Sequence, residues 1–89
     1  MNEQFTDNRN ARRYELRVGD HVAFAEYRID GDRIYFTHTL TPGALRGQGI
    51  GGRLAKAALS DAKARGLKIV PRCSFIADYI AKHPEFADE

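Results

Sequence analysis

The 89-residue sequence predicts an α+β fold, an antiparallel meander leading into a β-α-β crossover with a C-terminal helix. Three observations predict it. Between residues 13 and 41, runs of alternating apolar and polar side chains are separated by Gly19-Asp20 and Asp30-Gly31-Asp32, as expected of half-buried strands joined by tight turns. A glycine-rich segment, Leu45 to Leu54, then runs straight into a helical stripe of apolar residues. The short apolar run Leu67 to Val70 follows, and strand, helix, strand implies a right-handed crossover with parallel pairing.

Taken in order, residues 1–11 read as a flexible leader, in which only Phe5 has a reason to dock, and residues 12–89 as one domain. Tyr14, Leu16 and Val18 alternate as the first strand. In the second, Val22 and Phe24 lie on one parity and Tyr27 and Ile29 on the other, so the face switches at a bulge near Ala25-Glu26. Arg33 to Thr41 is the clearest strand, with Ile34, Phe36, His38 and Leu40 on one face and Tyr35, Thr37, Thr39 and Thr41 on the other. Pro42-Gly43 ends it. The helix from about Ile50 to Arg65 carries a stripe of Ile50, Leu54, Ala58 and Ala62, flanked by Ala55 and Leu59, and Gly66 stops it. Pro71 cannot donate to a ladder and helps end the last strand. Ser74 is placed to cap a helix from Phe75 to about Lys82, with Phe75, Ile76, Tyr79 and Ile80 inward, and Pro84 closes it, leaving a tail that adds little.

Composition narrows the function classes. A chain that is 43% hydrophobic and 29% charged is an ordinary globular domain without an apolar run near membrane-span length. The polar N-terminus lacks the apolar core of a signal peptide, and the single cysteine excludes an internal disulfide framework, so a reduced thiol in a cytoplasmic protein is expected. No metal-ligand spacing occurs, and no metal is expected. A net charge of +2 argues against a nucleic-acid partner, yet residues 42–72 hold seven Arg and Lys against the single acid Asp61.

That basic zone surrounds the one segment that demands a ligand. Gly47, Gly49, Gly51 and Gly52 expose successive backbone N–H groups just before a helix N-terminus, an anion-binding arrangement. The Gly-x-x-x-x-Gly-Lys-Ser/Thr phosphate loop is absent, and Gly47-x-Gly49-x-x-Gly52 lacks the acidic residue that a dinucleotide fold places about 20 positions on. Read instead as Arg46-x-x-Gly49-x-Gly51, the loop resembles the acyl-coenzyme A pyrophosphate loop of the GNAT superfamily of N-acetyltransferases. His38 to Pro42 before it, and Pro71-Arg-Cys73-Ser-Phe75, Tyr79 and His83-Pro84-Glu85 after it, are similar to the compact stand-alone subgroup of that superfamily, from about residue 12 onward.

The resemblance implies acetyl-CoA as cosubstrate and an amine acceptor, whether a small amine, a polyamine or a protein lysine. It implies CoA phosphates on Arg46, Gly47, Gln48, Gly49, Ile50 and Gly51, and pantetheine along the strand edge near His38, Thr39 and Leu40. Tyr79 matches the tyrosine that often protonates the departing thiolate, although its ring also suits core packing. Cys73 stands where the subgroup has a candidate active-site cysteine, beside a helix N-terminus, although Arg72 replaces a smaller residue and free cysteines are commonly packing residues. His38 is the first general-base candidate and Glu26 the second, with a satisfied core histidine as the alternative reading of His38. A non-catalytic acyl-CoA-binding or protein-interaction module on the same fold is the other functional reading.

Overall fold

A computed structural model describes residues 3 to 88. Five strands form one sheet in sequence order: β1 (Glu3–Asn8), β2 (Arg13–Val18), β3 (His21–Asp30), β4 (Arg33–Leu40) and β5 (Lys68–Pro71). The first four pair antiparallel, and β5 joins β4 in parallel after the helix α1 (Ile50–Ala64) has crossed over. Helix α2 (Ser74–Lys82) follows, then a 3-10 turn at Pro84–Phe86. The α+β class and the parallel crossover are thus as the sequence predicts.

The stretch expected as part of a flexible leader is instead an edge strand along residues 3–8. Phe5 stacks on Tyr14 with ring centroids 5.5 Å apart, Asp7 accepts a 2.5 Å hydrogen bond from the Tyr27 hydroxyl, and Glu3 pairs with Arg53. Each of these contacts is long in sequence, so local periodicity does not announce them.

All helices lie on one face of the sheet, over a core of Tyr14, Leu16, Val18, Ala23, Ala25, Tyr27, Ile34 and Phe36, which meets Ile50, Leu54, Ala58, Leu59 and Ile76. Burying each large side chain of this set contributes about 2 kcal/mol. On β3 the buried set is Ala23, Ala25 and Tyr27, not Val22 and Phe24 as the parity argument expected. Small alanines let α1 approach closely, while Phe24 lies on the opposite, helix-free face with the Arg13 guanidinium 4.4 Å above its ring.

The ends of the elements have local causes. Gly66, at φ +75°, closes α1 by donating to the Lys63 carbonyl, while the Leu67 N–H reaches Ala62, the paired bonds of a glycine-stopped helix. Cys73, rather than Ser74, holds the cap position of α2, with its carbonyl accepting from the Ala77 N–H. The tail is not idle: Phe86 is buried in the core, and the Asp88 carboxylate accepts from Lys63 and from the Ile69 N–H.

Candidate functional site

The site begins where two parallel strands part. Pairing of β4 with β5 runs only from Arg33 opposite Lys68 to Phe36 opposite Pro71. There the Phe36 carbonyl accepts both the Arg72 N–H at 3.0 Å and the Cys73 N–H at 2.9 Å, and the chain turns into α2. Beyond that point Thr37 to Leu40 have no partner on β5, so this edge of β4 is open.

A bulge sets what faces the opening. Glu26 pairs with His38 and Tyr27 with Phe36, so Thr37 is the extra residue and the bulge lies on β4, one strand over from its expected place. Its hydroxyl donates to the Glu26 carbonyl at 3.4 Å. One extra residue inverts the alternation beyond it. His38 and Leu40 therefore face the helix-free side and are exposed, which corrects the expectation that they continue the Phe36 face. Thr39 turns to the helix side, where its Oγ1 lies 3.2 Å from Cys73 Sγ.

The glycine loop stands at the far end of this open edge. Leu45 is buried and anchors it, and the Gln48 amide donates to the Ala44 carbonyl. Gly49 caps α1 in the left-handed region at φ +73°, with no side-chain cap on the helix. Among the described residues, none of the N–H groups from Gly47 to Gly52 makes a well-formed hydrogen bond to protein. These donors, backed by the positive end of a 15-residue helix, form the anion-binding concavity expected from the sequence. Gly51 has a separate constraint: a Cβ there would stand 3.0 Å from the Phe75 ring and 3.3 Å from Thr41 Oγ1. Phe75 thus covers the start of α1 and is half exposed rather than inward, so Phe75 and Thr41 line the path from loop to opening. Neither is among the site residues expected from the sequence; the paired signal is a bulky aromatic facing a glycine that its own φ does not require.

The charge excess of residues 42–72 is mostly consumed within the fold. Arg53 makes a two-pronged ion pair with Glu3 at 2.6 and 3.0 Å, Lys63 pairs with Asp88, Arg65 with Asp7, and Lys68 approaches Asp32 at 3.8 Å. The hydrogen bond from Arg53 holds the Glu3 carboxyl below its usual range. Arg72 lies over the Tyr35 ring at 5.4 Å, on the sheet face away from Cys73. Only Arg46 and Lys56 of this group have neither a carboxylate nor an aromatic partner among the described residues.

The three sequence-nominated chemical residues are not gathered at one point. Cys73 sits at the opening beside Thr39. Tyr79 lies two helical turns further along α2, its ring stacked on His83 at 4.0 Å and 6.1 Å from Phe86. Burial, and secondarily the Glu85 charge, push its pKa up, so the phenol keeps its proton well above neutrality. His38 and Glu26 stand opposite one another on the helix-free face. Among the described residues no group of three His, Cys, Asp or Glu side chains is placed to hold a metal, and no helix is long and apolar enough to cross a membrane.

The parallel strands that part at a bulge, and the arginine-led glycine loop that opens the intervening helix, agree with a comparison made independently of the geometry. A family model described as GCN5-related N-acetyl-transferase matches residues 13–89, which spans β2 to β5, the loop, the opening and α2. That match supports an acetyltransferase type of function. With most of its length matched, the chain belongs to the GCN5-related N-acetyltransferase family.

Proposed function

We propose that the protein transfers an acetyl group from acetyl-CoA to an amine by direct attack in a ternary complex, in the cytoplasm. The observation that carries this reading is the continuity of three features on one edge: the free N–H groups of Gly47 to Gly52, the unpaired backbone of Thr37 to Leu40, and the Thr39–Cys73 pair at the opening.

In this reading the CoA phosphates sit on Arg46, Gly47, Gln48, Gly49, Ile50 and Gly51, and pantetheine runs along Thr39 and Leu40, extending the sheet where β5 has left it. The thioester then lies between the parted strands, accessible from both faces. The amine approaches from the helix-free face, where His38 and Glu26 are placed to accept its proton, and attacks the carbonyl carbon; the C–N bond forms as the C–S bond breaks. Protonated Tyr79, on the helix side, supplies a proton to the CoA thiolate. Cys73 serves as a wall of the acetyl pocket. A non-catalytic CoA-binding module is the second reading, favoured by the separation of Tyr79 from the Thr39–Cys73 pair and by the exposure of His38.

The test pairs ligand binding with turnover. CoA should raise the melting temperature, whereas NAD should not, because a ligand that binds only the folded state stabilises it by mass action. Acetyl-CoA with an amine panel should release free thiol at a rate that rises with pH as the amine deprotonates. Thiol release no faster than background hydrolysis, despite CoA stabilisation, decides for the module.

A further inference from the structure

A second cavity, of about 310 Å³, opens at the other end of α1 and is lined by Arg9, Arg12, Tyr27, Arg28, Ile29 and Arg65. Four arginines lining one small cavity is an arrangement that the acetyl-transfer reading does not use. The glycine loop caps one end of α1 and Arg65 the other, so the two sites are separated by the length of the helix, roughly 24 Å at 1.5 Å per residue.

We propose that this arginine-lined cavity binds the dianionic phosphate group of a phosphate monoester. The charges match. Among the described residues the carboxylates in contact with these arginines are Asp7, which pairs with Arg9 at 2.9 Å and Arg65 at 3.1 Å, and Asp61, which is 3.8 Å from Arg65. Four positive charges against two negative leave two positive charges, reduced by about half a unit by the C-terminal end of α1. Arg12 and Arg28 form no ion pair among the described residues, and a guanidinium has the planar donor fork suited to phosphate oxygens.

Arg12 carries a second, independent indication. At φ 55° it is the one non-glycine among the described residues in the left-handed region, which a side chain resists and glycine takes freely. The turn nevertheless holds it there: its N–H donates to the Arg9 carbonyl at 3.3 Å, and its own carbonyl accepts the Tyr27 N–H at 2.9 Å. An arginine stands where the backbone favours glycine, and it lines the same cavity as three others. Strain retained at one position of a charged set accords with a binding site. This inference does not depend on the acetyltransferase reading.

The test is a residue-resolved NMR titration of the ¹⁵N-labelled protein with inorganic phosphate, with glycerol phosphate, and with sodium chloride at matched ionic strength. Both phosphate probes should give saturable shifts at the Arg12, Tyr27 and Arg28 amides, with the monoester at least as tight, and chloride should not. Arg12→Gly should remain folded and melt no lower than the parent, since it relieves the left-handed strain, yet bind about tenfold more weakly or worse. Arg28→Gln should weaken binding similarly. Shifts confined to Gly47–Gly52, an equal response to chloride, binding of inorganic phosphate without the monoester, or unchanged affinity in Arg12→Gly would each overturn the assignment.

Discussion

Thr39 Oγ1 and Cys73 Sγ lie 3.2 Å apart across the gap where β4 and β5 have separated. A hydroxyl and a thiol in contact at the expected thioester position can line the acetyl pocket, or the thiol can itself take the acetyl group. Direct transfer makes Cys73→Ala a modest change: about 1 kcal/mol less stable from lost packing, with turnover retained. Intact-mass spectrometry after mixing with acetyl-CoA should show no acetyl adduct on Cys73. An adduct that discharges when amine is added, with ping-pong kinetics, would instead establish a covalent route.

The glycine loop makes a sharper prediction. Gly51→Val drives a branched side chain into the Phe75 ring and Thr41, and Gly49→Val places a β-branched residue at φ +73°, a strain of about 1–3 kcal/mol. Both variants should lose the CoA-dependent rise in melting temperature, and Gly51→Val should regain part of it when combined with Phe75→Ala. Melting curves with and without CoA measure this, and full CoA stabilisation in Gly51→Val would remove the loop from the site.

β1 should contribute to stability. Phe5→Ala removes a ring stacked on Tyr14 and should cost about 1–2 kcal/mol in urea denaturation. Were these residues a free leader, the substitution would be neutral.

Phe86→Ala tests the opposite terminus. The ring is buried against Tyr79 and the core, so its removal should cost about 3 kcal/mol. A change below about 0.5 kcal/mol would make the tail dispensable.

Alkaline pH should unfold the protein through Tyr14 and Tyr27. Burial, followed by hydrogen bonds to Asp61 and Asp7, raises both phenols, that of Tyr27 to about 12. Below the unfolded value near 10 both states hold the proton and this stabilisation is complete. Between about 10 and 12 the unfolded chain binds fewer protons than the folded one, so stability falls as pH rises. Tyr27→Phe should flatten that decline in denaturant titrations at stepped pH.

The meander, the crossover and the glycine loop were legible because each rests on local chemistry: alternation, a helical stripe, and glycines before it. The Gly66 stop was readable for the same reason. β1 was not, since Phe5, Asp7 and Glu3 owe their order to Tyr14, Tyr27 and Arg53. The faces of β3 and β4 were misread because a bulge detected on one strand belonged to its neighbour, and that displacement moved His38 and Leu40 across the sheet. The basic zone was legible as composition, but ion pairing over 25 to 58 residues of sequence removed most of it.

The Thr37 insertion works like a frameshift in the strand. Upstream of it, even-numbered residues point to the helices; downstream, odd-numbered residues do. Deleting that single position would close the bulge and leave Thr39 and Thr41 on the helix side, because Phe36, Thr39 and Thr41 would then fall on alternate positions of one regular ladder. The faces at this mouth are therefore set by the pairing with β3, and residue 37 is a spacer that puts the numbering of the sequence and the alternation of the sheet out of step.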